Sequence, residues 1–370
     1  MHKSMRGLMA GLSLLFAFPA VAVADRVVTD GAGRDVSVPA PVEHVICSGP
    51  GALRLLTYLQ AEEKIVAVDD MEKQRPRFDA RPYALANPQF KQAPIFGQFR
   101  GHDHPELILT LDPAPQVIFK TYPGMGHDPV ELQQKTGIPV VILQYGELSG
   151  DRSDLYRSLR IMGEVVGRQQ RADQVISFFE EKIADLKQRT GKVPQEKRPT
   201  CFVGGIAFKG PHGFQSTEPG YPPFSFVGAK NVAAEELPAG KTVRHSNVAK
   251  EKIVQWDPDV LFLDLSSLQM GEGAGALFEL KTDPAYQTLS AVRAGRVYGL
   301  LPYNWYTRNF GSILANAYFI GKQLYPAQFT DIDPALVADE IYTFLVGKPV
   351  FDEMNRSFSG LAYRPIPLNQ

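Results

Sequence analysis

Two stretches of this 370-residue chain follow one plan: "ELILTLDPAPQVIF" from Glu106 and "EKIVQWDPDVLFL" from Glu251. Each has a Glu, an Ile two residues on, an Asp-Pro and a short apolar run, with two extra residues before the run in the first copy. A short helix feeding a buried strand fits both. Its recurrence predicts two halves of like construction with a gap between them.

The surrounding pattern agrees. In the first half "HVICS" (44–48), "KIVAVD" (64–69), the run 117–121 and "PVVILQ" (139–144) read as strands, with helical periods between them. Apolar runs of this length alternating with helices indicate parallel strands and crossover helices. "SDLYRSLRIMGEVVG" (153–167) ends on a Gly suited to a helix C-cap. The next segment, 171–191, places Val175, Phe179, Ile183 and Leu186 on one face of a helix about 30 Å long, enough to brace two lobes. The alternation restarts with "CFVGGIAF", helices at 222–228 and 247–256, and strands at 260–264 and 296–301. The expected fold is α/β: two doubly wound lobes, mainly parallel, joined by one long helix. Its divisions are a signal peptide (1–24), an N-terminal lobe (25–152), helices including the connector (153–192), a C-terminal lobe (193–330), and a last helix and Pro-containing tail (331–370) lying over the surface.

The leader is read from Lys3 and Arg6, the apolar run 8–17 and the small residues Ala22-Val23-Ala24. That run is too short to span a bilayer. No Cys lies near the cleavage site, so a soluble, exported, unanchored protein is expected. Removing the leader leaves 37 basic residues against 40 acidic ones, which offers nucleic acid no basic face. Cys47 and Cys201 end strands in different halves and read as two buried thiols. The chain lacks a G-x-S-x-G elbow, a P-loop and an H-E-x-x-H motif, and Ser216 has no marked base beside it, so no enzyme is expected.

In doubly wound lobes ligands lie beyond the carboxyl ends of the strands. The residues placed there are Ser48, Gly49, Pro50 and Gly51, whose amides suit an anion, then Phe99, Arg100, Lys120 and Tyr122. The second half adds Lys209, Phe214, Tyr221 and Phe224, then Tyr303, Trp305, Tyr306 and Arg308. Guanidinium groups grip oxyanions or carboxylates in two-pronged fashion, and rings cover flat or apolar faces. An anionic metal chelate meets both, with Arg100 and Arg308 as leading cations. A rival site is a bare Zn or Mn ion held by His102, His104 and His127, with His212 from the second half and Asp103 or Asp128 in support. Glu106 and Glu251 have two readings as well. Asp103 stands three residues before Glu106 and completes a capping box there, whereas Val248 takes that place before Glu251. Alternatively, matching acids on two lobes meet a two-fold symmetric partner.

The order "VICSGPG", "YLQAEEKIVAVD", "ELILTLDPAPQVIFK", then "VGAKNVA", "EKIVQWDPDVLFL" and "AVRAGRVYGL" resembles the periplasmic binding proteins of iron–siderophore and vitamin B12 ABC importers, over most of residues 40–325. The resemblance implies a ligand cleft between lobes joined by the long helix. It also implies docking of Glu106 and Glu251 on permease arginines. No intrinsic cofactor is expected, and the protein is expected to be a monomer. The favoured ligand is a ferric siderophore or iron complex; molybdate or tungstate comes next, then a corrinoid or haem. The sequence departs from the family's Pro-Asp at Pro115-Gln116, and its 209–224 loop is unusually aromatic.

Overall fold

The structure is a computed structural model that describes residues 24–74, 77–235 and 243–368. The expected leader lies outside them apart from Ala24. A hairpin opens the chain, β1 (Ala24–Thr29) against β2 (Asp35–Ala40). Six strands then build the first sheet: β3 (Val45–Ser48), β4 (Ile65–Asp69), β5 (Ile95–Gln98), β6 (His102–Asp103), β7 (Val117–Thr121) and β8 (Val140–Leu143). Their spatial order is β6-β5-β4-β3-β7-β8, and every pairing but β5–β6 is parallel. Every residue of β3, β7 and β8 is buried, as two covered faces require. Side chains alternate between those faces: Ile46 and Ile118 meet Ile108 and Leu132 on one, while Cys47 and Phe119 join the main core on the other.

The second sheet has the order β11-β9-β13-β14, from β9 (Thr200–Gly204), β11 (Lys230–Asn231), β13 (Val260–Asp264) and β14 (Val297–Leu300), all parallel. A two-residue pair, β10 (Ser216–Thr217) with β12 (Ser246–Asn247), ties down the long loop. Two separate sheets confirm the bilobal expectation. Cys47 and Cys201 lie in different sheets, both buried and unbridged. Burial pushes both thiols up, away from the reactive thiolate.

The helices that matter here are α1 (Ala52–Tyr58), α2 (Pro105–Leu109), α3 (Ser153–Val166), α4 (Gln169–Thr190), α5 (Lys250–Trp256), α6 (Phe310–Leu324), α7 (Pro334–Val346) and α8 (Phe351–Ser357). Gly167 caps α3 in the left-handed region, at φ 71°. The connector α4 has 22 residues and buries Val175, Phe179, Ile183 and Leu186. Phe179 sits edge-on to Tyr58 of α1 and to Phe310 of α6, each 6.2 Å away, so one ring joins three helices.

The tail departs from expectation. Instead of lying over the surface, it packs Phe351, Met354, Phe358 and Ile366 into the core and bridges β14 through Ala362 and Pro365. Its apolar residues recur within a turn of one another, and that spacing outweighs the prolines. Lys348 also reaches back to the Ala86 carbonyl at 2.6 Å. Because Phe179 fills a closed three-helix junction, Phe179→Ala should cost about 3–5 kcal/mol. Urea unfolding would show it as a lower midpoint with unchanged slope.

Candidate functional site

A cavity of about 450 Å³ opens where strand ends of the two sheets face each other. Pro50 follows β3, Met71 follows β4, Phe99 and Arg100 follow β5, and Tyr122 and Met125 follow β7. The other half contributes Ala207 to Gly210 after β9, and Asn304, Tyr306 and Thr307 after β14. Parallel strands place these loops together because all their carboxyl ends point one way. A neighbouring cavity of about 640 Å³ shares Tyr122 and Met125 and carries Glu147, Asp151, Asp154 and Arg244.

Buried charge fixes the first-half wall. Lys120 Nζ is fully buried and donates to Asp103 Oδ2 at 2.6 Å, to the Gly101 carbonyl at 3.0 Å and to Ser48 Oγ at 3.2 Å. It thereby pins the β5–β6 turn, which presents Phe99 and Arg100, to the end of β7. Arg100 itself is in the left-handed region at φ 63°, followed by Gly101 at φ 76°. Asp103 therefore holds Lys120 instead of capping α2, whose N-cap is His104 with no side-chain bond, and the capping-box reading fails.

Polar contacts cross the gap beside ring contacts such as Phe99 with Tyr306. Tyr306 Oη donates to Asp69 and accepts from the Arg100 amide at 3.1 Å, while Tyr122 Oη meets Thr307 Oγ1 at 2.8 Å. Arg54 of α1 donates to the carbonyls of Trp305, Tyr306 and Arg308 at 3.1, 3.0 and 2.9 Å. Tyr306 and Thr307 both have positive φ, 46° and 61°. Such a turn strains ordinary residues and persists only where its surroundings hold it.

Of the residues expected at the site, Pro50, Phe99, Arg100, Tyr122, Lys209 and Tyr306 line the cavity. The others do not. Ser48 is buried beneath it against Lys120, and Gly49 and Gly51 shape the turn into α1. A Cβ on Gly51 would lie 2.1 Å from the Tyr145 ring, so that turn is closed by packing and not open to an anion. Phe214 is wholly buried between Phe202 and Tyr286. Tyr221 packs on Phe224 and Tyr303, both rings lying in the second-half core beside it, and Tyr303 donates to Glu218. Trp305 packs edge-on to Phe358. Arg308 is paired with Glu147 at 3.0 Å, leaving 12% of its side chain exposed, so it is an interlobe ion pair and not a cavity cation. The wall residues missed in the sequence are Met71, Met125, Ala207, Phe208, Gly210, Asn304 and Thr307. Asn304 and Thr307 lay inside a segment already singled out; the two methionines gave no signal.

The histidines do not form the rival site. His102, His104 and His127 share a separate pocket of about 450 Å³ with Glu106 and Lys135, and His212 lies in the other half with Nε2 2.7 Å from the Phe208 carbonyl. Among the described residues, no group of three or more His, Cys, Asp or Glu side chains is arranged to hold a metal ion. Glu106 and Glu251 each stand exposed in the first turn of α2 and α5.

Asp69, Glu218 and Asp264 are among the buried carboxyls, and Asp69 is bonded to the cavity residue Tyr306. Burial, then the nearby Glu72 charge, pushes Asp69 up to about 7, against the lowering bond from Tyr306. Burial likewise raises Glu218 to about 7 and Asp264 to about 6. Folded Asp69 thus keeps a proton that the unfolded chain has lost between about pH 4 and about pH 7. Its contribution to stability therefore falls as pH rises through that window and is constant above it. Asp69→Asn stays neutral and can still accept from the Met71 amide that Asp69 caps. Urea unfolding across this window should show a flatter decline with pH than in the parent.

Comparison with known proteins agrees with this architecture. The family described as periplasmic binding protein matches residues 45–303. The molybdate-binding protein MolA of Haemophilus influenzae is 22% identical over 356 residues, spanning 89% of this chain and 93% of MolA. The molybdate-bound MolA structure has a TM-score of 0.64 at 20% identity, covering 88% of this chain and 99% of that one. A periplasmic solute binding protein of Veillonella parvula gives a TM-score of 0.68 at 18% identity, over 90% and 97% of the two chains. An uncharacterized ABC transporter substrate-binding lipoprotein of Bacillus subtilis, YvrC, is 20% identical over 231 residues, 61% of this chain and 66% of its own. Two lobes with mainly parallel sheets, a long connecting helix and a family match over most of both lobes lead to one conclusion: this chain belongs to the periplasmic binding protein family, whose members are solute-binding components of ABC importers and not enzymes.

Proposed function

We propose that the cavity captures an anionic metal chelate with an organic shell, a ferric siderophore or related iron complex, and that the chain delivers it to a membrane permease. One observation carries this reading: among the described residues, the two formally charged side chains that line the cavity, Arg100 and Lys209, are both cationic. Around them stand Phe99, Tyr122, Phe208, Tyr306, Met71 and Met125, which suit an organic surface. A tetrahedral oxyanion fills the room of only a few waters, at about 30 Å³ each, and would leave most of those rings uncovered. A second reading, molybdate or tungstate, is favoured by the similarity to MolA over most of both chains.

Docking through both lobes belongs to the same proposal. Glu106 and Glu251 are exposed at helix starts on the two halves, where arginines of a permease can reach them. Leu107 and Leu109 beside Glu106 are 44% and 59% exposed and would add apolar contact. Export as an unanchored monomer is part of this reading too. Among the described residues no helix is long and apolar enough to cross a membrane.

Calorimetry and thermal melting with ferric citrate, a ferric catecholate, molybdate and tungstate test the ligand class. A ferric chelate should bind and raise Tm, and Arg100→Ala or Lys209→Ala should weaken it about tenfold or more, the worth of one charge-assisted hydrogen bond. Binding of molybdate with inert chelates would establish the second reading, and binding of a haem or corrinoid alone would overturn both. For docking, Glu106→Ala with Glu251→Ala should abolish uptake by cells while calorimetric affinity stays at the parent value; intact uptake overturns that part.

A further inference from the structure

Arg54 is an unusual residue to find inside a protein. It lies on α1, one helical turn past the cavity residue Pro50, and is 1% exposed. A buried guanidinium ordinarily meets a carboxylate, because an unpaired charge out of water is costly. Among the described residues Arg54 pairs with none. Its hydrogen bonds go instead to Tyr145 Oη at 2.5 Å and to the carbonyls of residues 305, 306 and 308. The Tyr83 ring covers it 4.9 Å away, and Tyr145 Oη in turn donates to the Arg308 carbonyl. Oxygen dipoles and an aromatic face thus replace the missing counter-ion.

Those carbonyls belong to the turn that forms one wall of the cavity. Tyr306 and Thr307 hold left-handed conformations in succession, a backbone path that aims the carbonyls of 305, 306 and 308 at one point. Asn309 takes the Tyr303 and Trp305 carbonyls from the other side, at 3.0 and 3.2 Å. The turn and the guanidinium come from opposite halves of the chain, more than 250 residues apart.

We propose that Arg54 is a positioning residue for the ligand cavity: by gripping three carbonyls of the 305–308 turn it fixes Tyr306 and Thr307 as cavity wall and couples the two halves behind the ligand. This rests on the reading of the cavity as the ligand site. A planar fork with two donors on each of two nitrogens is needed, since a lysine ammonium offers three donors on one nitrogen and cannot serve the four acceptors, Tyr145 Oη and the carbonyls of 305, 306 and 308. Arg54 touches no ligand in this scheme; it acts through the turn.

The test uses the two-tryptophan composition of the chain. In a Trp256→Phe background, Trp305 is the sole tryptophan and its own carbonyl is an Arg54 partner. Arg54→Lys keeps the charge, and Arg54→Met removes it. In Arg54→Lys the 303–308 amides should exchange about tenfold faster, with β3 and β9 amides unchanged, and acrylamide should quench Trp305 more strongly. Affinity for whichever probe the parent binds, ferric chelate or molybdate, should fall about tenfold. Exchange that rises equally in every strand would mean a general loss of stability and would overturn the positioning role, as would unchanged 303–308 exchange and Trp305 quenching in both variants. Faster exchange with parental affinity also overturns it. If the parent binds no probe, the ligand reading fails by itself, and the exchange data still uphold or overturn the grip on the turn.

Discussion

Parallel pairing governs this molecule. Strands that run the same way cannot be joined by tight turns, so each needs a crossover, and every crossover begins from the same edge of its sheet. Two mainly parallel sheets, β3 to β8 with β6 alone antiparallel, and β9, β11, β13 and β14, bring two sets of strand-end loops to one gap. The cavity is therefore a product of chain direction before it is a product of any particular side chain. Side chains then decide what kind of gap it is, with cations and rings on its wall and Asp69 sunk behind Tyr306.

The placement of charge shows how that division works. Lys120, Arg54 and Arg81 are all withdrawn from water, yet each is surrounded differently. Lys120 has one carboxylate and two neutral acceptors, Arg81 has Asp79 and Glu72, and Arg54 has three carbonyls and the Tyr145 hydroxyl but no carboxylate among the described residues. All three pin irregular backbone, at the β5–β6 turn, at the segment after β4 and at the 305–308 turn. Where periodic structure cannot satisfy a loop's carbonyls, a buried cation does it. Arg100 and Lys209 are left with no such task and remain in the cavity.

The same contrast explains what could be read from the sequence. Strands such as 117–121 and 260–264 were legible because continuous apolar runs between turn signals leave few alternatives. The connector was legible from its periodicity, to within two residues at either end. Arg100 and Arg308 looked alike in sequence, each following a strand and flanked by aromatic residues. Only Arg308 has Glu147 within reach, across 161 residues of chain, and no local pattern records such a meeting. Arg54 drew no notice because it sits in "GALRLLTYLQ", where one charge in an apolar helix reads as surface. Phe214 and Tyr221 were misplaced for the complementary reason: an aromatic loop looks like a binding surface until β10 and β12 fold it inward.

The burial of the C-terminal segment has a temporal side. Phe358 meets Phe78 and Trp305, and Lys348 bonds to Ala86 across 262 residues, so the N-terminal half is finished by residues made long after it. Contacts of such sequence separation cannot form on a partial chain. Final compaction must wait until residues 348–366 have been synthesised, because the first half packs against them.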